Sequence, residues 1–200
     1  MSISPLNKSY FLFLPPGYPP EWNLTDIRKY YKLIPAAPLK GKRKQEAMAM
    51  TERDKMLAGE LYDCGDSTLL AQWHKAKNLI REFNRTDSED LHEKRRLLGD
   101  LLGGMGERLW ITPPFYVDYG CHIFFGDNCE VNMNCTFLDD NRIVIGDNAL
   151  IAPNVQIYTA YHPTNAADRF GRDRSDGSFS FCKTQTAPVI IGRDVWIGGG

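Results

Sequence analysis

The spacing of apolar positions changes along the chain, and each spacing predicts a different kind of element. Between residues 51 and 102 apolar side chains recur at three- and four-residue steps, the signature of a helix with one covered face. Thr51 with Asp54 predicts a capped short helix whose apolar side carries Met56 and Leu57. A second helix is expected from about Thr68 to Asn84, with Leu69, Leu70, Trp73, Ala76, Ile80 and Phe83 on one stripe. A third, announced by Asp87 or Ser88, carries Leu91, Leu98, Leu101 and Leu102. Gly103 and Gly104 end it, because glycine takes up left-handed or extended backbone cheaply. Each stripe needs a surface to cover it.

From about Ile111 the period becomes six. Phe125, Val131 and Phe137 are six apart, as are Ile145, Ile151 and Ile157, and again Ile191 and Ile197. Small residues follow five of them: Gly126, Gly146, Ala152, Gly192 and Gly198. Turn formers intervene at Gly126-Asp127-Asn128, Gly146-Asp147-Asn148 and Gly192-Arg193-Asp194. Alternation within single strands does not produce such a repeat. A triangular solenoid does, with six residues per side and the aliphatic side chain turned inward. The predicted fold is mainly β: a left-handed parallel β-helix preceded by a small α-helical region. Three sides make a coil of 18 residues, and the 20 residues from Phe125 to Ile145 place one two-residue bulge at Asp139 and Asp140. The expected division is an irregular segment rich in proline and aromatics at residues 1–45, helices at 46–108, and the β-helix at 109–200.

The repeat is interrupted once. Ile157 and Ile191 are 34 residues apart where six are expected, leaving a 28-residue excursion over about 158–188. It holds His162-Pro163, the charged run Asp168 to Arg174, and a tip at Ser175 to Ser180, and is expected to be an irregular binding loop or lid outside any strand ladder. His162 stands where the chain leaves the solenoid, with Asn132, Asn134, Asp139 and Asp140 on preceding coils. An imidazole there is a candidate general base near neutral pH. His74 and His92 fall on the helices, and His122 is either a surface residue or a support to the site.

Composition narrows the function classes. With 24 Lys and Arg against 25 Asp and Glu, the formal charge of -1 supports no nucleic-acid or anionic-membrane surface. The basic cluster Lys40, Lys42, Arg43 and Lys44 fits a solvated linker. No apolar run approaches the ~20 residues of a membrane span. Five cysteines without paired metal-type spacing point to a reduced, cytoplasmic protein with no metal site.

Several segments together resemble the maltose, galactoside and nodulation sugar O-acetyltransferases of the hexapeptide-repeat superfamily. They are Lys55-Met56-Leu57-Ala58-Gly59-Glu60-Leu61-Tyr62, Pro113-Pro114-Phe115 with Asp118-Tyr119-Gly120, and Asn132 through Asp140. Ile145 to Asn148, Ala152 to Val155, Ile157 to Pro163 and Val195-Trp196-Ile197-Gly198-Gly199 complete the likeness. It covers roughly residues 50–200. The resemblance implies direct acetyl transfer from acetyl-CoA to a sugar hydroxyl, at sites between neighbouring solenoids of a homotrimer. His162 then matches the general base, and Asn132, Asp140 and Asp118 match acceptor-side positions. Backbone amides near Gly199 are the implied oxyanion donors, and Trp196 is placed along the pantetheine passage. The helices are implied to cover the acceptor pocket.

Two departures bear on this. Trp73 stands where the family carries an arginine, which predicts a more apolar acceptor pocket. The chain also ends at Gly200, within a repeat and before the coils that bind much of the coenzyme, so a C-terminally truncated chain is expected. The competing classes are a non-catalytic β-helix scaffold or pseudoenzyme and a β-helix carbonic anhydrase. The latter needs three histidines around zinc, and the repeat region offers His122 and His162.

Overall fold

A computed structural model describes residues 50–170 and 182–200. The segment 1–45, the basic cluster at Lys40 to Lys44, and Arg172, Asp173, Arg174 and the tip at Ser175 to Ser180 lie outside the described residues.

Helix α1 (Glu52–Ala58) opens with a capping box in which Thr51 and Asp54 satisfy each other's backbone N–H, as the sequence predicts. Strand β1 (Tyr62–Asp63) leads into α2 (Ser67–Arg85), where Asp66 accepts from the N–H groups of Thr68 and Leu69. Helix α3 (Leu91–Leu101) begins later than expected. Asp90 is its cap, accepting from Glu93 N, whereas Asp87 accepts from Glu89 N in the preceding turn. Leu91 is therefore exposed at the first helical position, while Leu97, Leu98 and Leu101 are buried. None of these helices is long and apolar enough to cross a membrane.

The solenoid strands are β2 (Trp110–Ile111), β3 (Phe115–Val117), β4 (Ile123–Phe125), β5 (Glu130–Val131), β6 (Cys135–Leu138) and β7 (Ile143–Ile145). They continue with β8 (Leu150–Ile151) and β9 (Gln156–Tyr158). After β10 (Ala160–Tyr161), the short helix α4 (Ala166–Arg169) and β11 (Lys183–Thr186), the solenoid resumes with β12 (Val189–Ile191) and β13 (Trp196–Ile197). Three parallel sheets result, ordered β13-β8-β5-β2, β3-β6-β9 and β12-β7-β4. The chain visits them in rotation, so it winds as a three-sided coil.

The six-residue repeat becomes vertical stacks. Ile111, Val131, Ile151 and Ile197 align in one sheet, Val117, Phe137 and Ile157 in the second, and Phe125, Ile145 and Ile191 in the third. Their side chains fill one core that also receives Ala76, Ile80 and Phe83 from α2 and the α3 leucines. The helical stripes are covered by the solenoid itself.

One expectation is corrected here. The bulge does not belong to a single coil, because Val117 to Phe125 and Phe137 to Ile145 both span eight residues, and the register repeats every 20. The extra pair recurs at one corner, so each coil supports the next. The small residues answer to the spacing between coils. A Cβ on Gly126 would sit 2.3 Å from Asp147 Oδ1, so close approach of the next coil excludes a side chain. Positive φ at the corners falls instead on Asn128, Asn134, Asn148, Asn154 and Asp194. Those side chains form ladders, with Asn128 Nδ2 donating to Asn148 Oδ1 at 2.9 Å and Asn148 Nδ2 to Asp194 Oδ1 at 2.7 Å.

Candidate active site

The recurring eight-residue corner, between the β3-β6-β9 and β4-β7-β12 faces, carries most of the polar groups buried in the described structure. Asp139 lies at its centre and is fully buried. Its Oδ1 accepts from the N–H groups of Asp118 (3.1 Å) and Tyr119 (2.8 Å), and its Oδ2 from His122 N (3.2 Å). Burial pushes the carboxyl up to about 7 despite those bonds. Asp139 therefore supports the corner of the previous coil. On the following coil Thr159 Oγ1 accepts from Asn141 N at 2.9 Å.

His122 belongs to the same support. Its Nδ1 lies 2.7 Å from the Asp139 carbonyl, which only accepts, so Nδ1 carries the proton. Nε2 is buried without a hydrogen-bond partner, and burial lowers the imidazole from 6.5 to about 4. Between those values the unfolded chain binds a proton that the folded chain refuses, so this group costs stability as pH falls. The stability advantage of the wild type over His122→Gln should shrink by on the order of 3 kcal/mol between about pH 7 and pH 4. Parallel urea unfolding of both proteins at several pH values measures it, and a constant gap would contradict the assignment.

Next to this support the excursion leaves the solenoid in an ordered way. Strand β11 pairs antiparallel with β10 on one side and with β1 on the other. The expectation that the excursion carries no strand ladder is thus corrected at its feet. The alternation Lys183-Thr184-Gln185-Thr186, with both threonines buried, was the overlooked signal. Asn141 ties this ribbon down, its Nδ2 donating to Thr186 Oγ1 (2.9 Å) and to the Met56 and Leu57 carbonyls at the end of α1.

The strand registers set Tyr62 opposite Thr184 and, one step on, His162 opposite Thr184. His162 is exposed, and its Nδ1 lies 3.1 Å from the Lys183 carbonyl and 3.3 Å from Thr184 Oγ1. Since a carbonyl only accepts, Nδ1 is the protonated nitrogen and Nε2 keeps the lone pair. Asp140 is buried and accepts from the Tyr62 hydroxyl at 2.8 Å. Burial raises its carboxyl first, the Tyr62 bond opposes this, and His162 is near enough to act on it electrostatically. Asp118, which raises Asp140 from the other side, accepts from Trp73 Nε1 and Lys77 Nζ, both at 3.0 Å. Trp73 therefore contributes an N–H donor to this wall.

His162, Asp140 and Asp118 thus gather around one corner. Asn132, Trp196 and Gly199 do not join them. Asn132 precedes β6 and Asp140 follows it, so the two share a coil and lie at opposite ends of one strand. Asn132 N donates to Ile151 O and Ala152 N to Ile197 O, which stacks Asn132 with the Ala152-Pro153 turn and the segment after β13. A Cβ on Gly199 would meet Pro153 O at 2.8 Å, so its backbone lies close on that turn. Trp196 is 76% exposed on β13, outside the core. Sequence inspection missed Tyr62, Cys64, Cys182 and Thr184 as groups near His162.

Comparison with known proteins finds relatives of this chain. Residues 55–106 match the maltose acetyltransferase hexapeptide capping motif. A putative acetyltransferase of Dictyostelium discoideum is 40% identical over 151 residues, covering 76% of this chain and 73% of that protein. Nodulation protein L of Rhizobium meliloti is 37% identical over 158 residues, covering 76% and 78%. Among solved structures, a maltose O-acetyltransferase from Clostridium difficile superimposes with a TM-score of 0.68 at 40% identity, covering 76% of each chain. A galactoside acetyltransferase in complex with coenzyme A gives 0.65 at 32% identity, covering 76% and 70%. The chain belongs to the maltose, galactoside and nodulation-type sugar O-acetyltransferase family, an enzyme family of acyltransferases.

Proposed function

We propose that this protein transfers an acetyl group from acetyl-CoA to a hydroxyl of a mono- or disaccharide, by direct attack with His162 as general base. The observation that carries the reading is the fixed tautomer. With Nδ1–H held by the Lys183 carbonyl, Nε2 is left to take the proton of an acceptor hydroxyl as it attacks the thioester. A sugar hydroxyl is a weak nucleophile, so this proton transfer is the step that most needs help. Asp140 and Asp118 present carboxylate oxygens beside the base, where they hold neighbouring hydroxyls and fix which one reacts. The coenzyme A bound to the galactoside acetyltransferase supports the donor.

A homotrimer explains the two separated groups of residues. In this reading the coil is left-handed, and one chain's His162 corner faces the neighbour's edge carrying Asn132, Gly199 and Trp196. The neighbour's Gly199 amide then meets the oxygen that becomes negative, its Asn132 completes the acceptor side, and its Trp196 lines the pantetheine arm. Closed threefold symmetry makes three equivalent sites. Residues 46–108 act as a helical cover, 109–200 as the solenoid and 158–188 as its excursion, in a cytoplasmic protein.

The test is incubation of the purified protein with acetyl-CoA and a panel of maltose, glucose, β-galactosides and amino sugars. Thiol release and mass spectrometry should find one acetyl ester per acceptor. No transfer to any sugar would overturn the reading. Sedimentation equilibrium should separately give the mass of three chains, and an active monomer would contradict the shared site.

A further inference from the structure

A pair of thiols flanks His162 and has no part in the acetyl transfer described above. Antiparallel pairing sets Tyr62 opposite Thr184 and Asp63 opposite Lys183. Cys64 and Cys182 are the next residues along the two chains, Cys64 entering a turn and Cys182 bridged to Phe170. The Cys64 thiol confirms the approach by donating to the Cys182 carbonyl at 3.2 Å. The paired residues one step earlier, Asp63 and Lys183, have Cα atoms about 4.5 or 5.5 Å apart, and both values fall in the 4.4–6.8 Å range that a disulfide spans. Alternation along the strands turns both side chains to the face shared by Tyr62 and Thr184, which is the face toward Asp140 and His162. Cys182 Sγ lies 3.5 Å from His162 Nδ1 and 3.8 Å from Nε2. All five cysteines of the chain are free.

We propose that Cys64 and Cys182 form a reversible disulfide when the protein meets a hydroperoxide, and that this bond switches off the site around His162. Cys182 reacts first, because its sulfur lies against the exposed His162 ring while the Cys64 thiol is turned to the Cys182 carbonyl; the Cys182 thiol proton passes to solvent. The thiolate attacks one peroxide oxygen, the O–O bond breaks, and water leaves once the other oxygen is protonated, giving a sulfenic acid on Cys182. Cys64 then attacks that sulfur, the S–O bond breaks, and a second water departs. Two thiols and one hydrogen peroxide become one disulfide and two waters. Burial raises the Cys64 thiol above its ordinary value, which suits a resolving rather than an attacking role. The disulfide turns the Cys182 sulfur away from the imidazole and crosses the wall between Tyr62 and His162. The loss of transfer rests on the function proposed above; the bond itself does not.

The reduced full chain is exposed to hydrogen peroxide, alkylated, digested and mapped by mass spectrometry. A linked Cys64–Cys182 peptide pair is expected, with Cys121, Cys129 and Cys135 alkylated and with full reversal by dithiothreitol. In Cys64→Ser the reaction should stop at a sulfenic acid on Cys182 that dimedone traps, and Cys182→Ser should yield neither product. The imidazole NMR signal assigned to His162 by its loss in His162→Ala should move on oxidation, while those of His74, His92 and His122 stay. Acetyl transfer by the oxidised protein should fall about tenfold or more relative to the same reduced sample, the ratio being compared in each variant. Failure of the Cys64–Cys182 link to form, a stationary His162 signal, or unchanged transfer after linkage would each overturn the proposal. If the link forms and the His162 signal moves in a protein that acetylates no sugar, the acetyl-transfer reading fails while the thiol pair stands.

Discussion

Replacing His162 with alanine should lower turnover by about 100-fold or more and leave coenzyme A affinity nearly unchanged. The magnitude is that of a placed general base, and it depends on how the ring is held. Lys183 O fixes the protonated nitrogen, and Thr184 Oγ1 approaches the same atom from β11. Free Nε2 is thereby aimed without a conformational search, so losing it removes both the proton acceptor and its pre-set orientation. The ring is exposed at the foot of the excursion and packs in no core, so the variant should unfold at nearly the wild-type denaturant midpoint. Initial rates at saturating acetyl-CoA and sugar, with coenzyme A binding measured by calorimetry, separate the two quantities. A variant that kept more than half the wild-type turnover would remove His162 from the mechanism.

The same residues show why part of the molecule is legible in the sequence and part is not. A six-residue repeat is a geometric demand made at every side of the coil, so Phe125, Val131, Phe137, Ile145, Ile151 and Ile157 announce their shared core directly. Helix caps and stripes are also local, and Thr51 and Leu69 to Phe83 are found where the pattern places them. The site itself is long-range. Tyr62 and Asp140 meet across 78 residues, and Trp73 and Asp118 across 45, with no periodicity linking either pair. His162 stood out because it marks the break in the repeat. Thr184 and Cys182 did not: β11 alternates, but nothing in its spacing names the two-residue strand across the excursion with which it pairs. Asp139 and Asp140 are adjacent carboxylates in sequence. Only the fold reveals that one accepts from backbone amides and the other from the Tyr62 hydroxyl.

That difference makes the second large prediction. Asp139→Ala should destabilise the protein by at least about 3 kcal/mol, since three backbone N–H groups lose their acceptor and each unsatisfied buried donor costs about 1–3 kcal/mol. Asp139→Asn should cost less. Its carbonyl can still face Asp118 and Tyr119, but its NH₂ group then points at the His122 N–H. The pH dependence separates this role from a catalytic one. Burial holds the Asp139 carboxyl near 7 against 3.8 in the unfolded chain, so between those values the folded state binds the extra proton. Its contribution is therefore fully present at low pH and is lost as pH rises through about 7. The gap between wild type and Asp139→Ala should be wider at about pH 5 than at about pH 8. Activity should follow stability, with Asp139→Asn retaining turnover at temperatures where it stays folded, because both oxygens of the buried Asp139 are taken up by backbone N–H groups. Urea titrations of the three proteins at both pH values, with turnover measured well below each melting point, decide the matter. A folded Asp139→Asn with turnover reduced as far as His162→Ala would make Asp139 a participant in the reaction and not a support of the corner.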